Sequence, residues 1–208
     1  MHKYDYTYEG TDSYFYPGTT VLKNKLGIYS EEDLAIAEKE ITSIKLLMLH
    51  NMTILDKFDF EDLCKIHKII FSEVYDWAGL IRQGDFFSKG SSIFCRGQYI
   101  TTSARKIFAD LFQENYLNGL KKQKFIERMA YYIGEINALH PFREGNGRTL
   151  REYFRQLSLN ANYTLDFSEI DNNELLQADI EAFNGQYSKL IKILDKAISA
   201  KNSSMSAS

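Results

Sequence analysis

An all-α domain carrying one small β-hairpin is what this 208-residue sequence predicts, on three observations. Proline occurs only at Pro17 and Pro141, so little interrupts helix formation. Long segments carry apolar residues at helical spacing. One stretch, Gly79 to Tyr99, breaks that pattern with four glycines and short β-prone runs such as Phe86-Phe87 and Ser92-Ile93-Phe94-Cys95.

From the amino terminus, residues 1–19 form a tyrosine-rich arm. Tyr4, Tyr6, Tyr8, Tyr14 and Tyr16 have partial period-two spacing, which predicts a strand or extended arm packed on the core; a self-modification site is the less favoured reading. Helices are expected at about 30–49, 60–77, 102–117, 122–139, 146–160 and 172–199. Between Lys122 and Leu139, Phe125, Met129, Tyr132, Ile133, Ile136 and Leu139 make one stripe, with Lys124, Glu127, Arg128 and Glu135 off it. In the 60–77 segment, Leu63, His67, Ile70, Phe71, Val74 and Trp77 share a face, and His67 reads as a packed core histidine rather than a catalytic one. Asp59, Glu61 and Asp62 read as a solvated helix start favoured by the dipole. The stripe of Leu176, Ile180, Phe183, Tyr187, Leu190, Ile191, Leu194 and Ile198 predicts core packing for a carboxy-terminal helical extension at 166–199. Residues 200–208 are small and polar, and disorder is expected there.

Composition excludes several function classes. The 25 basic and 28 acidic residues give a net charge of -3, without the basic field that drives direct nucleic-acid binding. Cys64 and Cys95 are too few for a disulfide scaffold and lack the pairing of a structural zinc site, which points to a reducing compartment. No segment approaches the roughly 18 consecutive apolar residues of a membrane span, and the first residues lack the apolar core of a signal peptide. A soluble protein with no membrane partner is expected.

The chemistry concentrates in His140-Pro141-Phe142-Arg143-Glu144-Gly145-Asn146-Gly147-Arg148-Thr149-Leu150-Arg151. Pro141 disfavours α geometry at His140, so the preceding helix ends there and the imidazole sits at a helix end. Gly145-Asn146-Gly147 opens the next helix, whose interior face is Leu150, Tyr153, Phe154 and Leu157. A glycine-rich turn at a helix start offers unpaired N–H groups and the positive end of the dipole, an arrangement suited to phosphate. Arg148 and Arg151 are three apart and could fork onto phosphate oxygens. Glu144 could hold Mg²⁺ against those phosphates, since magnesium takes one or two carboxylates plus substrate oxygens. His140 is the one group here whose ordinary pKa lies near neutrality. Together these are the parts for phosphoryl or nucleotidyl transfer; they do not say which phosphorus is attacked. The structural alternative is a capped helix-loop-helix turn with solvated charges.

These residues resemble the Fic family motif, H-x-F-x-(D/E)-G-N-G-R-x-x-R, at every fixed position. The resemblance runs from about Pro17 to Tyr163, through Val21 to Ile28, Val74 to Gly79 and Ser88-Lys89-Gly90. These segments are similar to those of bacterial Fic toxins and of the Fic domains of Bartonella type IV secretion effectors. It implies a Fic-fold helical bundle over 20–165, with a hairpin flap at about 84–99. The flap's Ser88, Lys89, Gly90, Ser91, Ser92, Ile93, Phe94 and Cys95 would pair with an extended segment of a target protein. It further implies that His140 is the general base and that Phe142 anchors the loop. Glu144 would bind Mg²⁺, while Asn146 and the amides of Gly145 and Gly147 hold the phosphates of ATP. Arg148 would contact the β-phosphate region and Arg151 the γ-phosphate. The implied activity is transfer of AMP from ATP to a Tyr, Thr or Ser hydroxyl of a target protein, with release of pyrophosphate. The alternatives are transfer of another phosphate-containing group, or a catalytically silent nucleotide-binding module.

Many Fic proteins restrain themselves through a helix bearing (S/T)-x-x-x-E-(G/N), and no Ser or Thr here has Glu four residues later. The resemblance therefore implies either a small antitoxin-like partner acting in trans, with Arg151 left free until that partner covers it, or only weak inhibition. The expected location is the bacterial cytoplasm, or the host cytoplasm for a secreted effector.

Overall fold

In the computed structural model, residues 6–9, 12–52, 55–84, 86–89 and 92–201 are described. The order is β1 (Tyr6–Glu9), α1 (Glu31–His50), α2 (Phe60–Phe71), β2 (Phe86–Lys89), β3 (Ser92–Ile93), α3 (Gly97–Gln113), α4 (Lys122–Leu139), α5 (Asn146–Asn160), β4 (Tyr163–Leu165), α6 (Asn172–Phe183), α7 (Ser188–Ala197) and β5 (Ile198–Ala200). This is the helical bundle with a small β-hairpin that the sequence predicts. Among the described residues, no helix is long and apolar enough to cross a membrane.

The α4 helix is the axis of the bundle. Its predicted stripe is buried throughout, and Ile126, Ala130 and Gly134 off that stripe are buried too. The extra burial comes from α6 and α7, which pack on the side that α3 and α5 leave open. The α2 helix lies against α5 and brings Leu63, His67, Ile70 and Phe71 into the same core.

Helix ends depart from the periodicity where turns preserve it. The α2 helix stops at Phe71, not Trp77: Val74 and Tyr75 both donate to the Phe71 carbonyl and turn the chain, yet Val74 and Tyr75 stay buried. Burial thus continues across a turn, and spacing alone does not mark the end. The 102–117 helix begins earlier, at Gly97, where a Cβ would lie 2.5 Å from the Gly84 carbonyl oxygen; glycine lets the base of the hairpin close. It gives way at 115–117 to a short 3₁₀ turn. The segment 172–199 is two helices, since Gly185 donates to Ala182 and Gln186 to Glu181, the paired bonds of a Schellman motif. In α6 the buried face is Leu175, Ala178 and Ala182 in place of the predicted Leu176, Ile180 and Phe183, whereas the later part of the stripe holds at Leu190, Leu194 and Ile198, joined by Ile193.

Two further expectations are corrected. Asp62 is not a solvated start of α2: it is buried, and its Oδ2 accepts from the amides of Asp56, Lys57 and Phe58 at 2.9–3.0 Å, while Asp59 is the N-cap. Ala200 belongs to β5, which pairs antiparallel with β4, and the Lys201 amide donates to Asn162; the expected disorder of 202–208 lies outside the described residues.

The flap is the β2–β3 hairpin, in which Ser88 pairs with Ile93 and Lys89 with Ser92; its tip, Gly90 and Ser91, lies outside the described residues. The arm contributes β1, a third strand that lies antiparallel along β2. Past it, Tyr14 is buried, and Phe15 bridges to Leu22.

Candidate active site

The α4 helix ends at Leu139, and His140 takes a left-handed conformation (φ 44°, ψ 61°), so the chain leaves the helix just before Pro141. Arg82 fixes this exit from outside the motif. Its Nε donates to the His140 carbonyl at 2.8 Å, its amide to the Pro141 carbonyl at 2.8 Å, and its guanidinium to the Cys95 carbonyl. The flap meets the helix end directly, because the Cys95 amide donates to Ala138 at 3.0 Å. The His140 imidazole is stacked under Phe94, with centroids 3.8 Å apart, and lies 5.3 Å from Phe87; its residue is 9% exposed. The flap is therefore closed over the expected base.

The loop after His140 is held from inside the core. Phe142 is buried against His67 at 3.9 Å. Asn146 grips the same residue with both ends of its amide: Oδ1 accepts from the Phe142 amide at 3.0 Å and Nδ2 donates to the Phe142 carbonyl at 2.8 Å. Gly145 adopts φ +80° and Phe71 fills the space where a Cβ would point, 2.2 Å from its Cζ. Glu144 is half-buried, and its Oε1 accepts from the Gly145 amide at 3.0 Å. No side chain caps the start of α5, so its first turn keeps the open N–H groups that favour an anion.

His67 matters more to this loop than its place on an apolar stripe suggests. Its Nδ1 accepts from the Gly79 amide at 2.8 Å, which leaves the proton on Nε2 to donate to the Glu144 carbonyl at 3.0 Å. Both nitrogens are satisfied only in the neutral form, and burial pulls the pKa from 6.5 down to about 4. An unfolded chain binds a proton at this imidazole below pH 6.5, whereas the folded one does not until about 4. Stability should therefore be complete above that window and fall with pH across it, by about 3 kcal/mol for this group. Urea unfolding at pH 7 and pH 5 measures the loss, and the part due to His67 should vanish in His67→Gln. An equal pH dependence in that variant would refute the assignment.

The two arginines stand differently. Arg148 is half-buried and committed to α1, with Nη2 on Glu38 at 2.6 Å, Nη1 on the Thr42 hydroxyl at 3.0 Å and its guanidinium 4.7 Å above the Phe71 ring. Glu38 also accepts from the Tyr75 hydroxyl, whose pKa is pushed up by burial and by that carboxylate. Arg151 has an exposed side chain, but the protein crowded around it lowers its pKa, against an opposing pull from Asp179 on α6. Asp179 lines a cavity with Gly147 and Arg151, so the fold brings a carboxylate near Arg151 that the sequence pattern did not reveal. Arg148, Arg151, Arg155 and His50 line a neighbouring cleft of about 230 Å³ together with Asp166 and Glu152, the latter paired with Arg155.

His140, Glu144, Gly145, Asn146, Gly147, Arg148 and Arg151 thus belong to one continuous loop and helix turn, with flap residues Phe94 and Cys95 against its first residue. Sequence reasoning missed Arg82, Glu38 and Thr42 and undervalued His67. Arg148 meets Glu38 across 110 positions of sequence, and no local pattern signals such a contact.

Comparison with known proteins matches these features. Residues 57–157 fit the Fic/DOC family profile. The chain is 39% identical to the "Probable protein adenylyltransferase Fic" of Salmonella typhimurium, over 92% of this chain and 94% of that protein. It is 42% identical to "Protein adenylyltransferase VbhT" of Bartonella schoenbuchensis, over 86% of this chain and 37% of the relative. Among solved structures, the BepC effector of Bartonella tribocorum with bound AMPPNP superposes with a TM-score of 0.87 at 27% identity, covering 91% of this chain and 98% of that one. A Fic domain of a Bartonella quintana effector with bound ADP gives 0.85 at 28% identity, over 92% and 96%. By fold, by motif geometry and by this similarity along nearly its whole length, the chain belongs to the Fic/DOC family.

Proposed function

We propose that this chain is a protein adenylyltransferase that moves AMP from ATP to a Tyr, Thr or Ser hydroxyl of another protein. The observation that carries the reading is the loop itself: a histidine, a carboxylate, an uncapped helix start and two arginines set side by side under a hairpin. Relatives that bear the name of this activity, and similar Fic domains solved with AMPPNP and ADP, support the same conclusion.

ATP lies with its phosphates along the open amides of the first turn of α5 and toward Arg148 and Arg151. The acceptor oxygen attacks the α-phosphorus, the bond from that phosphorus to the oxygen bridging to the β-phosphorus breaks, and pyrophosphate departs. His140 takes the hydroxyl proton. The arginines and amides balance charge on the leaving phosphates, and catalysis is positioning and electrostatics rather than covalent chemistry by the protein. Among the described residues, no group of three His, Cys, Asp or Glu could hold a metal alone. A single carboxylate at Glu144, with its Oε1 bonded to the Gly145 amide, fits Mg²⁺ that takes its remaining ligands from phosphate and water. Glu144 would hold Mg²⁺ there, and the ion would supply charge neutralisation to the phosphates. His67 and Gly145 fix the backbone that presents the carboxylate.

The acceptor is held by strand pairing on the flap, which reads backbone more than side chains. Restraint in trans by a small helical partner fits the exterior of α1, where Ile44, Leu47 and Met48 are exposed on the same end of the helix as Leu46 and His50, which line the cleft. Incubation with ATP labelled at the α- or the γ-phosphate in bacterial and host lysates tests the activity. Label should reach protein from the α-position alone, and only with Mg²⁺ present. Transfer of γ-label would identify a phosphotransferase instead, and nucleotide binding without labelled product a silent module.

A further inference from the structure

We infer that the arm strand β1 is a built-in occupant of the flap's docking edge, a reversible self-blocking strand that an acceptor must displace. The inference rests on the reading that acceptors dock by pairing with the flap. In the three-stranded sheet, β2 is the middle strand, with Tyr6 opposite Lys89, Thr7 opposite Ser88, Tyr8 opposite Phe87 and Glu9 opposite Phe86. The long edge of the hairpin is thus filled along its whole length. The opposite edge offers little, for β3 has two residues, and the chain just after it is tied down, the Cys95 amide to Ala138 at the end of α4 and the Cys95 carbonyl to Arg82. An extended peptide seeking backbone partners on this hairpin meets β1 first.

The position of the arm also bears on the base. β2 carries Phe87, and Phe94 follows β3; these two rings cover His140. A third strand stiffens a hairpin that alone would be marginal, so β1 holds the flap down over the imidazole as well as filling its edge. The root of the arm is fixed beside the hairpin: the Tyr14 hydroxyl accepts from the Gln83 amide at 3.0 Å, and its ring stands edge-on to Trp77 at 5.9 Å. The short span from Glu9 to Asp12 therefore keeps β1 near β2 at an effective concentration on the order of millimolar. Four residues of pairing are weak enough to be reversible, and an acceptor's apparent affinity falls by the fraction of time the edge is covered.

The ladder identifies the residue to change. The Phe94 amide donates to the Phe87 carbonyl, so Phe87 turns its backbone groups to β3, and by alternation Ser88 turns its own to Thr7. Thr7→Pro in the full chain removes the facing N–H and disrupts the strand, whereas Thr7→Ala keeps the donor. Amide exchange at Ser88 should quicken at least tenfold in Thr7→Pro alone. With α-labelled ATP and subsaturating lysate, the initial labelling rate should rise about five- to thirtyfold in the same variant, as the loss of one or two ladder hydrogen bonds would allow, with KM for ATP unchanged. Faster exchange at Ser88 with no gain in labelling would overturn the inference, as would exchange indifferent to Thr7→Pro. If no variant labels any protein, the activity reading fails separately. A fluorescein-labelled peptide of residues 4–11 then decides the point: binding to Thr7→Pro but not to the unaltered chain upholds the covered edge, and equal binding or none to both refutes it.

Discussion

His140→Ala should fold, bind ATP and transfer AMP about 10²- to 10⁴-fold more slowly, the usual contribution of a positioned base. The fold should survive because His140 ends α4 and its backbone is held independently of the side chain: its amide donates to Ile136 and its carbonyl accepts from Arg82. The cost is the lost stacking on Phe94 together with the left-handed conformation, which alanine tolerates less well than histidine, by about 1 kcal/mol. His140→Asn separates the two effects, since asparagine accepts that conformation and cannot serve as the base. Both variants should lose turnover alike while nucleotide affinity, read by titration of a fluorescent ATP analogue, stays close to that of the unaltered chain. Preserved labelling in His140→Asn would remove His140 from the role of base.

Gly145→Ala should be strongly damaging for a single methyl group. It adds strain at φ +80° and drives a carbon into the Phe71 ring, where the nearest atom stands at 2.2 Å. Left-handed strain of about 1–2 kcal/mol and overpacking of about 1–3 kcal/mol together predict a loss of roughly 2–5 kcal/mol. Activity should disappear as well, because moving Gly145 displaces both the Glu144 carboxylate and the start of α5. Urea unfolding of Gly145→Ala, Phe71→Leu and the double variant tests the cause. The glycine change should cost less once the ring is gone, giving a coupling of opposite sign to the single losses. Strict additivity would mean that the ring is not what the methyl group meets.

Helix existence was legible because apolar periodicity is a local signal. The bounds of α4 and α5 were read correctly for a related reason: Pro141 and the Gly145-Asn146-Gly147 turn punctuate the sequence between them. Where punctuation is absent, as at Phe71, the turn follows from contacts made by Gly79 and His67 across space. The split between α6 and α7 did have a signal, Asn184-Gly185, but it lay inside a long apolar stripe that masked it. The residues of the candidate site were legible as a motif, and their roles remain those the family resemblance implies. Their supports were not legible. Glu38 lies mid-helix with nothing to distinguish it from its acidic neighbours, Arg82 stands among loop residues, and Asp179 approaches Arg151 only because α6 packs on α4.

The hydrogen bond from His67 to the Glu144 carbonyl spans 77 positions of chain. A contact of such sequence separation is non-local, and it is expected to form after the local pairing of α4 with α5. A fragment containing only those two helices would carry all twelve motif residues yet lack Phe71 and His67, and its glycine turn would be free to sample other shapes. Competence for phosphate chemistry should therefore appear in refolding only when α2 docks, as the final cooperative step and not as a property of the motif segment.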